Sequence, residues 1–511
     1  MKRQLPSGPN LDQLKHQARD LLNLHKAGDA EALRRIRESH PRLSQATEAG
    51  VRSARFTLSG AQLVIAREYG FASWPKLKQH VECARQQGTD PVEQLKQALR
   101  SDDAAGVSEI LELHPELKAK INEPIGPFDS PAIVRARSSQ MLDVLLAAGA
   151  DLNAKSTWWA GGFGLLDGAD PELAAYAIQR GAVVDIHAAA RLGMLDRVRE
   201  LLASDAGLVH ARGGDGQTPL HFASTVEIAG YLLDHGADID ARDVDHESTP
   251  AQYMIDDRQE IVHYLIRRGC RTDILMASAL GDIDLVRRHL DEEPASVRMR
   301  VSEEFFPMIS PKAGGTIYQW KLGWYLSGHR VAKKFGHGNV YQLLMERSPA
   351  EVKLIEACWL DDEATLQALG GTEPDLARRL LMGDQRQVAH AARNNETGVV
   401  RAMLRAGLPV DARGQHNATP LHWAAFHGNC EMVNVILPFG PPVEVTDGDF
   451  NGTPLGWAVY GSENGWHPER GDYAGTVEAL IQAGAHLPEK MGGTEAVREV
   501  LRRHGLKEES T

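Results

Sequence analysis

The sequence predicts an all-α fold in which helix-turn-helix units stack in a row, and three observations support this. A Thr-Pro-Leu-His phrase at residues 218–221 returns at residues 419–422. A Gly-Ala-Asp phrase at residues 149–151 returns at residues 236–238. The glycines that open the second phrase, or stand in its place, recur every 32 or 33 residues, from Gly149 to Gly181, from Gly236 to Gly269 and from Gly407 to Gly440. Such self-similarity is typical of repeat proteins, whose units are stable only when stacked.

Each phrase marks one end of a helix. Thr accepts amide protons of the first turn, and Pro at the first helical position sacrifices no hydrogen bond. Gly follows apolar runs such as residues 141–146 and 228–233, where a left-handed residue closes a helix. A looser copy of the first phrase begins at Ser130. The residues that we expect to hold the units together are Thr218, Pro219, His221, Gly236, Thr249, Pro250, Gly269, Thr419, Pro420, His422, Thr453, Pro454 and Gly484.

These residues and their spacing resemble ankyrin repeats. The resemblance implies an ankyrin solenoid from roughly Pro91 to Leu487, with two short helices, a turn and a projecting loop in each unit. Units near residues 185, 274 and 388 lack Thr-Pro and are degenerate. The resemblance also implies that His221 and His422 bind neighbouring backbone and the Thr hydroxyl, which we favour strongly over a catalytic or metal-binding role.

We predict five segments along the chain. Residues 1–90 form an N-terminal helical region, 91–300 hold ankyrin repeats, 301–349 an ankyrin-like unit with a long aromatic insertion, 350–490 further repeats, and 491–511 a capping helix and flexible tail. The block at residues 55–77 resembles a segment that precedes ankyrin repeats in many bacterial proteins, which suggests a bacterial origin. We expect the N-terminal region to cover the apolar face of the first repeat rather than to recognise a ligand.

Composition restricts the partners and the compartment. With 56 Lys and Arg against 69 Asp and Glu, the formal net charge is −13, which disfavours general nucleic-acid binding. The cysteines Cys83, Cys270, Cys358 and Cys430 are scattered without a Cys-x-x-Cys pair, so a reducing compartment is expected. The sequence has neither a signal-peptide core nor the roughly 18 apolar residues in a row that a membrane span needs. We therefore expect a soluble, cytoplasmic protein without membrane insertion.

Three interruptions of the repeat carry aromatic side chains and are candidates for partner binding. The longest runs from Val301 to Gly328, and the strand propensity of its residues 316–320 predicts an extended finger. The second runs from Gly461 to Tyr473, and the third covers residues 158–163. The candidate partner-binding residues are Trp158, Trp159, Phe305, Phe306, Tyr318, Trp320, Trp324, Tyr325, Trp466 and His467.

Two interpretations of the longest interruption remain open. Its aromatic rings are suited to anchoring a partner protein, as Trp and Tyr do at binding hot spots. The same rings are also able to fold back and pack on the repeats. We favour packing, because large exposed apolar patches are rare without a partner.

The sequence lacks the common enzymatic signatures, including Gly-x-x-x-x-Gly-Lys-Ser/Thr, His-Glu-x-x-His and Gly-x-Ser-x-Gly. Residues 447–452 match the first half of a calcium loop, but the twelfth position is Ala458 rather than Glu, so an ankyrin turn explains them better. We predict no catalytic residue, no cofactor and no metal. The predicted function is a non-catalytic scaffold or adaptor that binds a partner protein through loops and a concave surface. The alternatives are a regulatory or inhibitory subunit that masks another protein and, less favoured, an enzyme with a site in the insertions.

Overall fold

The computed structural model describes residues 11–78 and 90–507, except residues 42, 45, 55, 70, 72, 75 and 374. Within these residues the secondary structure consists of helices and turns without a β-strand, which confirms the all-α prediction. The chain divides into two compact units, one ending at Val184 and the other beginning at Asp185. Cys83, the first ten residues and the predicted tail beyond residue 507 lie outside the described residues.

The first unit opens with four helices, at Leu11–Ala27, Ala30–Ser39, Glu48–Ser53 and Leu58–Glu68. They share one apolar core, which includes Leu14, Leu21, Ile36, Val51, Val64 and Ile65. A bidentate ion pair joins the second helix to the fourth, with the Arg35 Nε atom 2.8 Å from Glu68 Oε1. These helices lie within the predicted N-terminal region, whose boundary at residue 90 stays a prediction.

The rest of the first unit consists of short helices that are capped by polar side chains. Asp90, Asp103, Ser138 and Asp170 each accept an amide proton of the following first turn. The α-helices are Pro91–Arg100, Ala104–Leu113, Ser139–Ala147 and Pro171–Gln179. The 3₁₀ helices are Pro115–Lys120, Pro127–Asp129, Ala132–Arg135 and Leu165–Asp167. The loose Ser-Pro copy of the repeat phrase therefore precedes only a short 3₁₀ helix.

The second unit is a succession of helical hairpins. Its first helices, which we call the first-helix layer, are Ile186–Arg191, Pro219–Phe222, Pro250–Tyr253, Ile274–Leu280, Gly328–Lys334, Ala350–Leu360, Gln387–Arg393, Pro420–Phe426 and Pro454–Asn464. The second helices are Leu195–Ser204, Val226–Asp234, Gln259–Arg267, Ile283–Glu292, Gly338–Arg347, Glu363–Thr372, Thr397–Arg405, Cys430–Ile436 and Tyr473–Gln482. The short helix Met382–Gln385 precedes one hairpin, and Glu495–Arg503 follows the last. Helices of one kind pack mainly on the same kind in the neighbouring hairpin, which gives two layers.

The ends of these helices follow the two repeated phrases. Two of the hairpins without Thr-Pro begin with Asp caps instead, since Asp185 and Asp273 each accept a first-turn amide, at 2.9 and 2.8 Å. Second helices end at glycines with positive φ, 91° at Gly236, 93° at Gly269 and 99° at Gly484. Only glycine adopts this backbone without strain, which explains the period seen in the sequence.

The prediction of a strand in the long insertion is wrong. Residues Gln319–Gly323 form a π-helical turn, and the adjacent side chains of Ile317 and Tyr318 are both buried. An extended strand would point consecutive side chains to opposite faces and leave one of these two in water. The ends of the insertion meet in an antiparallel bridge between Arg300 and Ser327. The insertion therefore folds back on the hairpins because this buries its apolar side chains.

Candidate partner-binding surface

The histidines of the Thr-Pro-Leu-His phrase join neighbouring hairpins. The Thr218 amide donates to His221 Nδ1 at 3.0 Å, while His221 Nε2 donates to the Ser248 carbonyl of the next hairpin at 3.2 Å. His422 repeats this arrangement, with its Nε2 atom 3.1 Å from the Gly452 carbonyl. Because one ring nitrogen accepts and the other donates, both rings must be neutral. Burial lowers the pKa of His221 to about 3 and the pKa of His422 to about 4.

Three consecutive residues of an earlier loop anchor the long insertion, residues 301–328. The ring of His246 donates from Nδ1 to the Gly315 carbonyl at 2.7 Å. The Glu247 carboxylate accepts main-chain amides of the insertion at 2.7 to 3.0 Å. The Ser248 hydroxyl oxygen accepts the amide of Ile317 at 3.1 Å. These bonds fix the insertion along the loop between two hairpins.

Two of the six aromatic candidates in the insertion are core residues. Tyr318 is fully buried, its hydroxyl donates to Asp273 Oδ2 at 3.0 Å, and the Phe306 ring packs edge-on against it at 5.4 Å. Tyr325 is also buried and stacks on His390, with 3.4 Å between the ring centroids. Burial desolvates both phenols and raises their pKa values. Packing therefore replaces partner contact as the role of Tyr318 and Tyr325.

The other aromatic candidates of the insertion lie nearer to solvent. Trp320 is 71% exposed, and Trp324 is half-buried with its ring 5.2 Å from Tyr325. Phe305 is half-buried, and the Arg300 guanidinium lies 5.6 Å from its ring centroid. Trp320 is thus the most exposed of the six aromatic candidates in the insertion.

The second insertion places Trp466 beside the first-helix layer. Its ring centroid lies 5.8 Å from Trp423, 5.4 Å from Phe426 and 5.3 Å from His427. The guanidinium carbon of Arg393 lies 5.0 Å from the Trp466 ring centroid and 5.5 Å from the Trp423 ring centroid. Trp466 remains 49% exposed. It therefore offers a partner one accessible aromatic surface that is held by an aromatic cluster and a cation.

The helix Gln387–Arg393 carries polar residues that the sequence analysis missed. Gln387, His390 and Arg393 are spaced by three residues, so they lie along one side of this helix. Burial, followed by four nearby arginines, lowers the pKa of His390 well below its usual range. This spacing within an otherwise Ala- and Val-rich helix is the signal that could have identified them.

The remaining candidates are Trp158, Trp159 and His467. Trp158 and Trp159 belong to the first unit, where the Trp158 ring lies 5.1 Å from Phe128 and 6.2 Å from Trp159. His467 is exposed, and its Nδ1 atom lies 3.9 Å from a Glu469 carboxylate oxygen. All three stay predictions as partner-binding residues.

One group of residues in the described part of the chain could hold a metal ion. Possible ligand atoms of Asp215, Asp245 and His246 lie within 4.8 Å of one another. Asp245 also accepts the amide of Gly314 at 3.1 Å, and the His246 ring binds the neighbouring carbonyl, so both side chains already fix the insertion. These contacts give Asp245 and His246 a structural role. The absence of a metal site stays a prediction.

The half-matched calcium loop is a turn whose carboxylate is used internally. Asp447 accepts the amides of Asp449, Phe450 and Gly452 at 2.7 to 2.8 Å and the indole N–H of Trp457 at 2.9 Å. Burial alone would raise the pKa of Asp447, but these hydrogen bonds lower it on balance. A carboxylate engaged in this way stabilises the loop between two hairpins.

A groove of about 780 Å³ lies beside the second helices Glu363–Thr372 and Thr397–Arg405. Cys358 lines it, and burial raises the pKa of this thiol to about 12. Burial raises the pKa of Cys270 to about 12 as well. Both thiols are therefore protonated at neutral pH and are poor nucleophiles.

Comparison with known families identifies the hairpins. Residues 186–276, 329–449 and 388–489 match a family model described as ankyrin repeats in three copies. The chain is an ankyrin repeat protein. The first matched segment includes the hairpin that follows the Asp185 cap, so this hairpin is an ankyrin repeat despite its lack of Thr-Pro. The long insertion at residues 301–328 lies between the matched segments.

Curated relatives share parts of this ankyrin repeat protein. It is 37% identical over 103 residues to the E3 ubiquitin-protein ligase XB3 of Oryza sativa subsp. japonica, which covers 20% of this chain and 22% of the ligase. It is 31% identical over 86 residues to the palmitoyltransferase Hip14 of Drosophila melanogaster, covering 17% of this chain and 12% of that protein. It is 38% identical over 59 residues to the palmitoyltransferase ZDHHC17 of Homo sapiens, covering 12% and 9%. The matches thus span less than a quarter of each of these relatives.

The described helices were compared in length and hydropathy with what a bilayer requires. None of them is both long enough and apolar enough to cross a bilayer.

Proposed function

We propose that this ankyrin repeat protein is a non-catalytic scaffold that binds a partner protein through its first-helix layer and the adjoining insertions. The observation that carries the proposal is the position of Trp466, which is half-exposed on a rigid cluster of Trp423, Phe426 and His427. Trp side chains held in this way are the usual anchors of protein interfaces. The more exposed Trp320 supplies a second anchor on the long insertion.

Affinity capture from a lysate of the source cells tests this proposal. The full chain is immobilised as wild type, Trp466→Ala and Trp320→Ala, and retained proteins are quantified by mass spectrometry. We expect at least one protein that Trp466→Ala retains more weakly, because removing a Trp anchor costs at least about 2 kcal/mol of binding, or about thirtyfold in Kd.

The matched control is Phe439→Ala. Phe439 is 43% exposed but lies just after a second helix, away from the first-helix layer. This variant should retain the partner fully, and circular dichroism should give the same helicity for all four proteins. Equal retention by every variant, or no protein retained above background, would contradict the proposed binding surface.

A regulatory or inhibitory subunit is the alternative that the same surface also fits. The two roles differ in their effect on the captured partner, because a masking subunit lowers the activity of the partner and a scaffold leaves it unchanged. The enzyme alternative has weaker support, since the relatives that are enzymes match only 9 to 22% of their lengths and two cysteines here are poor nucleophiles.

We also propose a bacterial origin, a cytoplasmic location and no general binding of nucleic acid. The resemblance of residues 55–77 to a bacterial segment supports the first. The net charge of −13 supports the last, because a protein must supply cations to hold a phosphate backbone.

A further inference from the structure

A row of side chains along the first-helix layer is connected by contacts across four consecutive hairpins. The Arg330 guanidinium carbon lies 4.2 Å from the Trp359 ring centroid, and the Trp359 indole donates to Gln387 Oε1 at 3.2 Å. One and two turns further along the same helix come His390 and Arg393. We call Gln387, His390, Arg393, Trp423 and Trp466 the Arg393 surface.

The Arg393 surface contains buried donors without acceptors. Among the described residues, no hydrogen-bond partner exists for Gln387 Nε2, Trp423 Nε1 or His390 Nδ1, and all three residues are more than nine-tenths buried. The Gln387 amide is oriented by the bond that its oxygen accepts from Trp359. These nitrogen atoms are covered by the protein itself. The accessible groups of the Arg393 surface are therefore the half-buried Arg393 and the half-exposed Trp466.

Arg393 adds a positive charge that no carboxylate neutralises. Its Nε atom donates to the neutral Gln415 side chain at 2.6 Å, and its guanidinium lies over the rings of Trp423 and Trp466. Burial lowers the pKa of Arg393, and no carboxylate of the described residues opposes this effect. By contrast, the Arg330 Nε atom lies 3.3 Å from the buried carboxylate of Glu356. Within a chain of net charge −13, Arg393 is thus an uncompensated cation beside unsatisfied donors.

We infer that the Arg393 surface binds an extended segment of a partner protein that is rich in Asp and Glu. A carboxylate satisfies the guanidinium while the aromatic rings stay stacked on it. This inference rests on the proposed binding function and specifies the chemistry of the partner.

The extent of the surface favours a polypeptide over a small anion. The row of residues in this surface crosses the helices Gln387–Arg393 and Pro420–Phe426 and ends at Trp466, just after the helix Pro454–Asn464. Packed helices lie about 8 to 10 Å apart, so the row extends for about 20 Å. An extended chain covers this distance with about six residues.

Selection from a library of random peptides displayed on phage tests the inference. The full chain is immobilised as wild type, Arg393→Gln and Arg405→Gln. Arg405 is exposed on the second helix of the same hairpin, so its substitution removes the same charge away from the surface. Enriched peptides are then synthesised with a fluorophore, together with counterparts in which Asn and Gln replace Asp and Glu, and binding is measured by fluorescence polarisation.

We expect the enriched peptides to contain more Asp and Glu than the library. Arg393→Gln should weaken the binding of these peptides by about thirtyfold. This factor is at the lower end of the loss of affinity that is typical when one partner of a buried charge pair is truncated. Arg405→Gln should change it less than about twofold, and the amide counterparts should lose most of the affinity. Circular dichroism confirms that the variants are folded. If Arg393→Gln is unfolded, Arg386→Gln provides a second variant. Arg386 is exposed and its charge acts on His390 of the Arg393 surface, so its removal should also weaken binding.

The contrary results are distinguishable. Enriched peptides that are neutral or basic, or that bind equally well to Arg393→Gln, would overturn the inference and leave the scaffold proposal standing. A library from which the wild type enriches no peptide would also overturn the inference, whereas the scaffold proposal is decided by the lysate capture.

Discussion

Acid should destabilise the second unit of this ankyrin repeat protein, because His221 and His422 are held in a neutral form. Their pKa values fall from about 6.5 in the unfolded chain to about 3 and about 4 in the folded chain. At a pH between the unfolded and the folded pKa of a histidine, its ring is protonated in the unfolded chain and neutral in the folded chain. The free energy of unfolding therefore decreases as the pH falls through this range. One pH unit changes it by about 1.4 kcal/mol for each histidine, which gives about 2 kcal/mol each by about pH 5. Above pH 6.5 the two histidines contribute no further pH dependence.

Urea unfolding at about pH 7 and at about pH 5 measures this effect. Circular dichroism reports the helices, and tryptophan fluorescence reports the surroundings of His422, whose ring lies 5.3 Å from Trp457. The variant His422→Gln lacks the titrating ring, so its loss of stability between the two pH values should be smaller than that of the wild type by about 2 kcal/mol. The control His467→Gln removes an exposed histidine and should keep the full difference.

The reasoning fails if His422→Gln loses as much stability on acidification as the wild type does. That outcome would mean that His422 binds its proton equally well in the folded and the unfolded chain.

Three other substitutions test the packing. Tyr318→Phe should lower the free energy of unfolding by about 1.5 to 3 kcal/mol in urea titrations, because the Asp273 carboxylate loses a hydrogen bond; no change would mean that the phenol is solvated. Gly236→Ala should lower it by about 1 to 2 kcal/mol through strain alone, because φ is 91° while the added Cβ atom meets nothing within 4 Å. Glu356→Gln should cost about 3 to 5 kcal/mol because it leaves Arg330 buried and unpaired, and the double variant with Arg330→Met should recover most of this; additive losses would contradict the pairing.

The sequence predicted the regular parts of the fold because local chemistry determines them. Thr-Pro and Asp caps begin helices, and glycines with positive φ end them, so both signals depend on a few adjacent residues. The insertion was predicted wrongly because its conformation depends on distant partners. Tyr318 is buried and donates a hydrogen bond to Asp273, which lies 45 residues earlier. The β-propensity of residues 316–320 contains no information about that contact.

The candidate surface was predicted only in part for the same reason. Trp466 was selected because it interrupts the repeat, and it does lie beside the first-helix layer. Arg393 and His390 were missed, although their spacing on a helix was visible. Their importance depends on contacts that only the fold reveals, because among the described residues no carboxylate pairs with Arg393 and His390 Nδ1 has no hydrogen-bond partner. Tyr325 stacks on His390 across 65 residues of sequence, and only folding reveals such a pair.

The bridge between Arg300 and Ser327 allows the length of the insertion to vary. Because the two ends of the insertion are adjacent, the stacked hairpins are unaffected by the number of residues between them. Doubling the length of a flexible loop costs only about 0.6 kcal/mol in closure entropy. The insertion therefore tolerates residues added near its exposed Ile309, whereas exchange of the whole insertion would remove the buried Tyr318 and Tyr325.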